Sequence, residues 1–185
     1  MLIPDRASFA ALPAVTASAL DREAGDGPAD PDLLLVAGRA VAVAASAADV
    51  ASDEERTSPP DAAHPGYEQA MALDRAGRSG DAARMFVEML PDPSAAADGC
   101  LGLAVLGLRT VLREETRTLA AGCLEWGASH PRACLILGIL ALEAGDQQGA
   151  QTYLAATARI ARGNPAFLAE LKAAQRTLLL MKILR

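Results

Sequence analysis

The chain has 185 residues, enough for one domain with a sizeable core. Apolar residues make up 51% of it but aromatics only 3%, an Ala/Leu-dominated mix that favours closely packed helices over a sandwich or barrel. The net charge of −6, with no basic stripe interleaved with aromatics, argues against nucleic acid as a partner. That charge is uneven. Residues 1–62 hold 11 acids and 4 bases (net −7), whereas residues 63–185 hold 12 acids and 13 bases (net +1).

Residues 1–31, rich in Ala, Asp, Gly and Pro, read as a loosely ordered start with at most a short helix. "MLIPDRASFAALPA" lacks a basic region followed by an apolar core, so no secretory leader is expected. Asp32 can cap a helix over "LLLVAGRAVAVAASAADVA", placed at residues 33–50. Its apolar run, Leu33 to Ala48, is Ala-rich, interrupted by Arg39 and shorter than the roughly 20 residues a membrane span needs. A buried or self-associating helix is the better reading, with no membrane insertion. "SDEERTSPPDAAHPG" (Ser52 to Gly66) combines a charge run with prolines and reads as a linker. Residues 1–62 thus form an acidic N-terminal arm.

From Tyr67 onward the pattern predicts helices over 67–76, 81–90, 97–109, 113–126, 131–144 and 147–162, and a last one from Pro165. Strand patterning is absent, so the class is all-α. Gly77 in "MALDRAGRSGDAARMF" and Gly145 in "LALEAGDQQGAQTYLAA" interrupt good helix formers, as turn residues able to adopt φ > 0 would. They lie 68 residues apart, twice 34, and Ala82/Ala150 and Phe86/Leu154 keep the interval. Cys100/Cys134, Leu103/Leu137, Leu108/Leu142 and Pro131/Pro165 repeat at 34. A 34-residue helix–turn–helix period is the tetratricopeptide signature. The predicted fold is a tetratricopeptide-like superhelix over residues 63–185: units 63–96, 97–130 and 131–164, and a capping helix, 165–185. The middle unit is the weakest, with Val111 where the others have Gly. On the capping helix, Phe167, Leu168, Leu171 and Leu178 fall along one side, the side expected to meet the stack. Its last turns, "LLLMKIL", are apolar almost all round and should be covered.

Motifs for chemistry are missing. GxGxxG, GxxxxGK[ST], HExxH and GxSxG do not occur. His64 and His130 precede prolines at unit boundaries, which suits capping better than catalysis. Cys100, Cys123 and Cys134 form no CxxC pair and read as reduced core thiols, not a disulfide framework or zinc knuckle. Asp53, Glu54 and Glu55 are adjacent and cannot converge on one metal ion alone. Trp126 reads as a wedge between units. No catalytic residue, metal site or cofactor is expected, and the chain does not read as an enzyme.

What does stand out is an apolar stripe on the inner helices: Tyr67 and Met71, then Leu101, Val105 and Leu108, then Leu135, Ile139 and Leu142. An open concave surface without a ligand would carry polar residues there. The alternative is a stripe covered by the chain's own arm or capping helix.

The segment "HPRACLILGILALEAGDQQGAQTYLAATARIARGNPAFLAEL" resembles the last repeat and capping helix of class II type III secretion chaperones, through Pro131-Arg132, Gly145, Ala150 and Asn164 to Phe167. Upstream, "YEQAMALDRAGRSGDAARMF" and "CLGLAVLGL" resemble that family's first repeat and the start of its second, so the likeness covers about residues 64–180. The resemblance implies a protein of the bacterial cytoplasm that holds secreted translocators soluble and secretion-competent. Each client would offer an extended N-terminal segment to the concave groove. It also implies a homodimer without client, formed through the N-terminal helix. A generic tetratricopeptide scaffold in another complex is the alternative.

Overall fold

A computed structural model describes Leu34, Leu35, Ala37, Gly38 and residues 64–126 and 130–183. Among these residues the chain is all-helical, without strands. Helix α1 (Pro65–Arg75) opens on His64, whose Nδ1 accepts the Gly66 N–H at 3.2 Å, so α1 begins inside the expected linker. A three-residue turn, with Gly77 at φ 84°, leads to α2 (Ser79–Met89). Then come α3 (Ala96–Gly107), α4 (Arg113–Trp126) and α5 (Pro131–Glu143). His130 caps α5 as His64 caps α1, its Nδ1 accepting the Arg132 N–H. Gly145, at φ 77°, turns the chain into α6 (Gln147–Ala161), capped by Asp146. Asn164 caps a short 3-10 turn (Pro165–Phe167) that runs into α7 (Leu168–Ile183).

Of the three turns within helical hairpins, those of α1–α2 and α5–α6 are three residues long because glycine supplies the left-handed residue. At the middle connection Val111 cannot adopt that conformation cheaply. The chain takes five residues instead, Leu108 to Leu112, with no positive-φ residue, and Val111 stands 91% exposed. Helix α3 accordingly ends at Gly107, before the expected 109.

Each consecutive pair of helices packs together, giving three hairpins and a final helix. Helices α1, α3, α5 and α7 also touch their neighbours within that series, forming one layer, while α2, α4 and α6 sit behind them. Burial repeats at 34 residues. Ala70, Ala104 and Gly138 are buried, as are Ala82, Thr116 and Ala150, and Phe86, Ala120 and Leu154. Side-chain sizes are exchanged between successive units. The Phe86 ring occupies the space a Cβ on Gly102 would need, 2.3 Å from it. One period on, the corresponding positions hold Ala120 and Ile136, a small and a large residue, both buried.

Polar links tie unit to unit. The His64 N–H donates to Asp98 Oδ2 at 2.7 Å, across 34 positions. Arg109 donates to both oxygens of Asp74 at 2.7 and 2.9 Å, and the Ser79 hydroxyl donates to Oδ1 at 2.6 Å. Asp74 is buried, which alone would raise its pKa, but these donors outweigh burial and hold it below the usual carboxylate range. Arg113 pairs with Glu143 at 2.9 Å, joining the start of α4 to the end of α5.

On the predicted N-terminal helix, Leu34, Leu35, Ala37 and Gly38 are helical, and Leu34 and Ala37 belong to the core cluster. A Cβ on Gly38 would lie 3.0 Å from Glu115 Cβ, so this segment lies against the first turn of α4. The rest of that helix, residues 1–31 and the acidic linker lie outside the described residues.

Of the four residues expected to meet the stack from α7, three lie on its stack-facing side and Leu168 does not. The buried residues of α7 are Glu170 and Ala174, flanked by half-buried Phe167, Leu171 and Leu178, whereas Leu168 is exposed. The Glu170–Arg132 pair sets that rotation. Among the described residues, Leu179, Leu180 and Ile183 are left 59%, 49% and 68% exposed.

Candidate functional site

The candidate site lies on the layer of α1, α3, α5 and α7. Of the eight stripe residues, six are half-buried: Met71 on α1, Val105 on α3, Leu108 just after it, and Leu135, Ile139 and Leu142 on α5. Met71, Val105 and Leu108 pack against the core from this layer. The other two are corrected. Tyr67 and Leu101 are buried, at 5% and 1% exposure, and belong to the core. For Tyr67 a long-range contact explains this. The Tyr67 ring packs on Phe86, with centroids 5.5 Å apart, and its hydroxyl lies 3.4 Å from Arg132 Nη1. That contact joins α1 to α5, and Leu101 on α3 belongs to the same core cluster as Tyr67.

Arg132 is the hub of this closed end. Its Nε and Nη2 reach Glu170 Oε1 at 2.7 and 2.6 Å, linking α5 to α7. Glu170 Oε2 is buried and has no hydrogen-bond partner. Burial raises the Tyr67 pKa despite the nearby guanidinium, so the phenol stays protonated. Arg132 served in the sequence only as part of a repeat opening. Its pairing with a carboxylate 38 residues on follows no helical or repeat spacing, so no local signal marks it.

Both histidines are caps. Burial, then the Arg132 charge, pushes the His130 pKa down to about 4, and the ring packs edge-on to Phe167 at 5.3 Å. A neutral ring suits the cap, because Nδ1 must keep its lone pair for the Arg132 N–H. Cys100, Cys123 and Cys134 are free and buried. Burial pushes Cys100 well above the ordinary thiol range and Cys123 up to about 12, so neither offers a thiolate nucleophile. Trp126 is half-buried and packs against the core. Among the described residues no three His, Cys, Asp or Glu side chains gather as a metal site. Nor is any helix among them long and apolar enough to cross a membrane.

The arrangement is therefore an apolar row closed at one end by a polar bridge. It offers partly exposed apolar side chains. Comparison with known proteins gives no match to a family model, a curated protein or a solved structure.

Proposed function

We propose that this protein is a tetratricopeptide-type chaperone whose inner helices bind extended, apolar segments of type III secretion translocators. The reading joins the resemblance over residues 64–180 to one observation. Met71, Val105, Leu108, Leu135, Ile139 and Leu142 stay half-buried on α1, α3 and α5 (or just after α3), beside buried Tyr67, Leu101, Leu103, Leu106, Ile136, Leu137 and Leu140 on the same helices. A row of this kind suits spaced apolar anchors from a client that orders on docking. In this reading the three hairpins and α7 form a right-handed superhelix with the row on its concave side. The Tyr67–Arg132–Glu170 bridge bounds the groove, so anchors seat on the Val105 to Ile139 stretch and not on Leu101. The protein acts in the bacterial cytoplasm, without catalysis or cofactor. It dimerises without client through parts of the N-terminal helix other than Leu34 and Ala37.

Co-expression with a translocator tests this. The client should become soluble and co-purify with the full-length chain. A client that stays insoluble, or a soluble one that does not co-purify, would overturn the proposal.

A further inference from the structure

The outward side of α7 has a composition its position at the end of the stack does not require. Leu168, Leu179, Leu180 and Ile183 are exposed there, and Lys172, Arg176 and Lys182 are exposed among them. The single acid of α7, Glu170, is buried and already paired with Arg132. This face is thus apolar and cationic, with no anion of its own. A second α7 packed symmetrically on it would bring like charges together.

Charge complementarity points to this chain's own arm. The stretch "DREAGDGPADPD", Asp21 to Asp32, carries five acids and one base. It ends two residues before Leu34, which the core holds. The position of that anchor is telling. Arg132 and Glu170, both in first turns, pair, so α5 and α7 start at the same end. Arg113, first in α4, pairs with Glu143, last in α5. The start of α4 therefore lies at the same end of the stack as the exposed end of α7, and Gly38 sits beside Glu115 in that first turn. Two helix-to-helix steps, about 20 Å, separate α4 from α7. Twelve extended residues span about 40 Å, so residues 21–33 reach.

We infer that the acidic stretch Asp21–Asp32 docks in cis on the outward face of α7, its carboxylates on Lys172, Arg176 and Lys182. Apolar residues upstream in the arm cover the leucines. The tether makes the second contact intramolecular, at a high effective concentration.

The chain suits a direct test, because Lys172 and Lys182 are its only lysines. A water-soluble carbodiimide joins a lysine amine to a carboxylate in contact with it. Full-length protein, mixed equally from unlabelled and 15N-labelled preparations, should give links from Lys172 or Lys182 to acids between Asp21 and Asp32, with both linked peptides from one isotope pool. Arg176→Glu leaves both lysines in place and should lower the yield at least about threefold, as should about 0.5 M NaCl. Adding Asp26→Arg to Arg176→Glu should restore part of it. No links to the arm, or links only to acids of the helical stack, would overturn the inference. Mixed-isotope links would overturn it in favour of a second copy. Absence of links together with Arg176-dependent sedimentation on phosphatidylserine vesicles would overturn it in favour of a membrane surface.

Discussion

Gly102→Ala discriminates between local and tertiary control of this fold. Ala is favoured over Gly inside a helix by about 1 kcal/mol, so propensity alone predicts a more stable protein. The Phe86 ring reverses the sign. Three of its atoms lie 2.3 to 2.4 Å from where the new Cβ would stand, whereas carbon–carbon contacts prefer about 3.5–4.0 Å. Phe86 is fully buried, so the ring must retreat about 1 Å into packed surroundings. Overpacking of this kind costs about 1–3 kcal/mol, and against the propensity gain of about 1 kcal/mol the net expectation is a loss of up to about 2 kcal/mol. Urea unfolding would show a lower midpoint at unchanged slope. Phe86→Leu destabilises alone by opening space, yet should offset part of the Gly102→Ala loss in the double variant, with a coupling of about 1 kcal/mol. A more stable Gly102→Ala protein, or strict additivity with Phe86→Leu, would refute the reasoning.

Gly145→Ala meets no atom within 4 Å but must hold φ 77°, so it should cost about 1 kcal/mol by backbone strain alone, with no rescue by neighbouring side chains in denaturant titrations. Asp74→Ala removes the acceptor of three short bonds and should lower stability by about 2–3 kcal/mol in the same assay; a change below about 0.5 kcal/mol would show the Arg109 link to be idle. His130 has a folded pKa of about 4, so the unfolded chain binds the extra proton. Its contribution is therefore intact above about pH 6.5 and lost as pH falls toward 4, by up to about 3 kcal/mol. His130→Asn, which keeps an acceptor as Asn164 does, should flatten that slope in melts between pH 7.5 and 5; an unchanged slope would place the titration elsewhere.

The parts of the fold legible in the sequence are those decided within a turn of chain. His-Pro and Asn-Pro openings, Gly at the left-handed turns and the Ala or Gly contacts at 34-residue intervals need only local geometry, and those helices start and stop within two residues of expectation. The middle connection differed because Val111 leaves the chain without a left-handed residue, a conformational fact that repeat counting passes over. Leu101 and Tyr67 differed for another reason. Tyr67 meets Phe86 and, across 65 positions, Arg132, and Leu101 joins the same core cluster; nothing in either neighbourhood encodes those meetings. The same guanidinium sets the rotation of α7 through Glu170, placing Ala174 inward and Leu168 outward. Phe86 and Gly102, and one period on Ala120 and Ile136, share a register but exchange sizes, a relation visible only once the two helices are side by side.

Titration of a translocator's N-terminal segment, as a synthetic peptide, into the full-length protein and its Leu135→Ala/Ile139→Ala variant tests the central claim most directly. Full burial of a Leu or Ile side chain contributes about 1.5–3 kcal/mol. Calorimetry should therefore show affinity falling at least about tenfold. The melting temperature should drop far less than in Leu103→Ala/Leu137→Ala, whose side chains are 0% and 3% exposed. Peptide binding unaffected by Leu135→Ala/Ile139→Ala, or a variant that unfolds as readily as the Leu103/Leu137 pair, would contradict the account: the row would then be core, not groove.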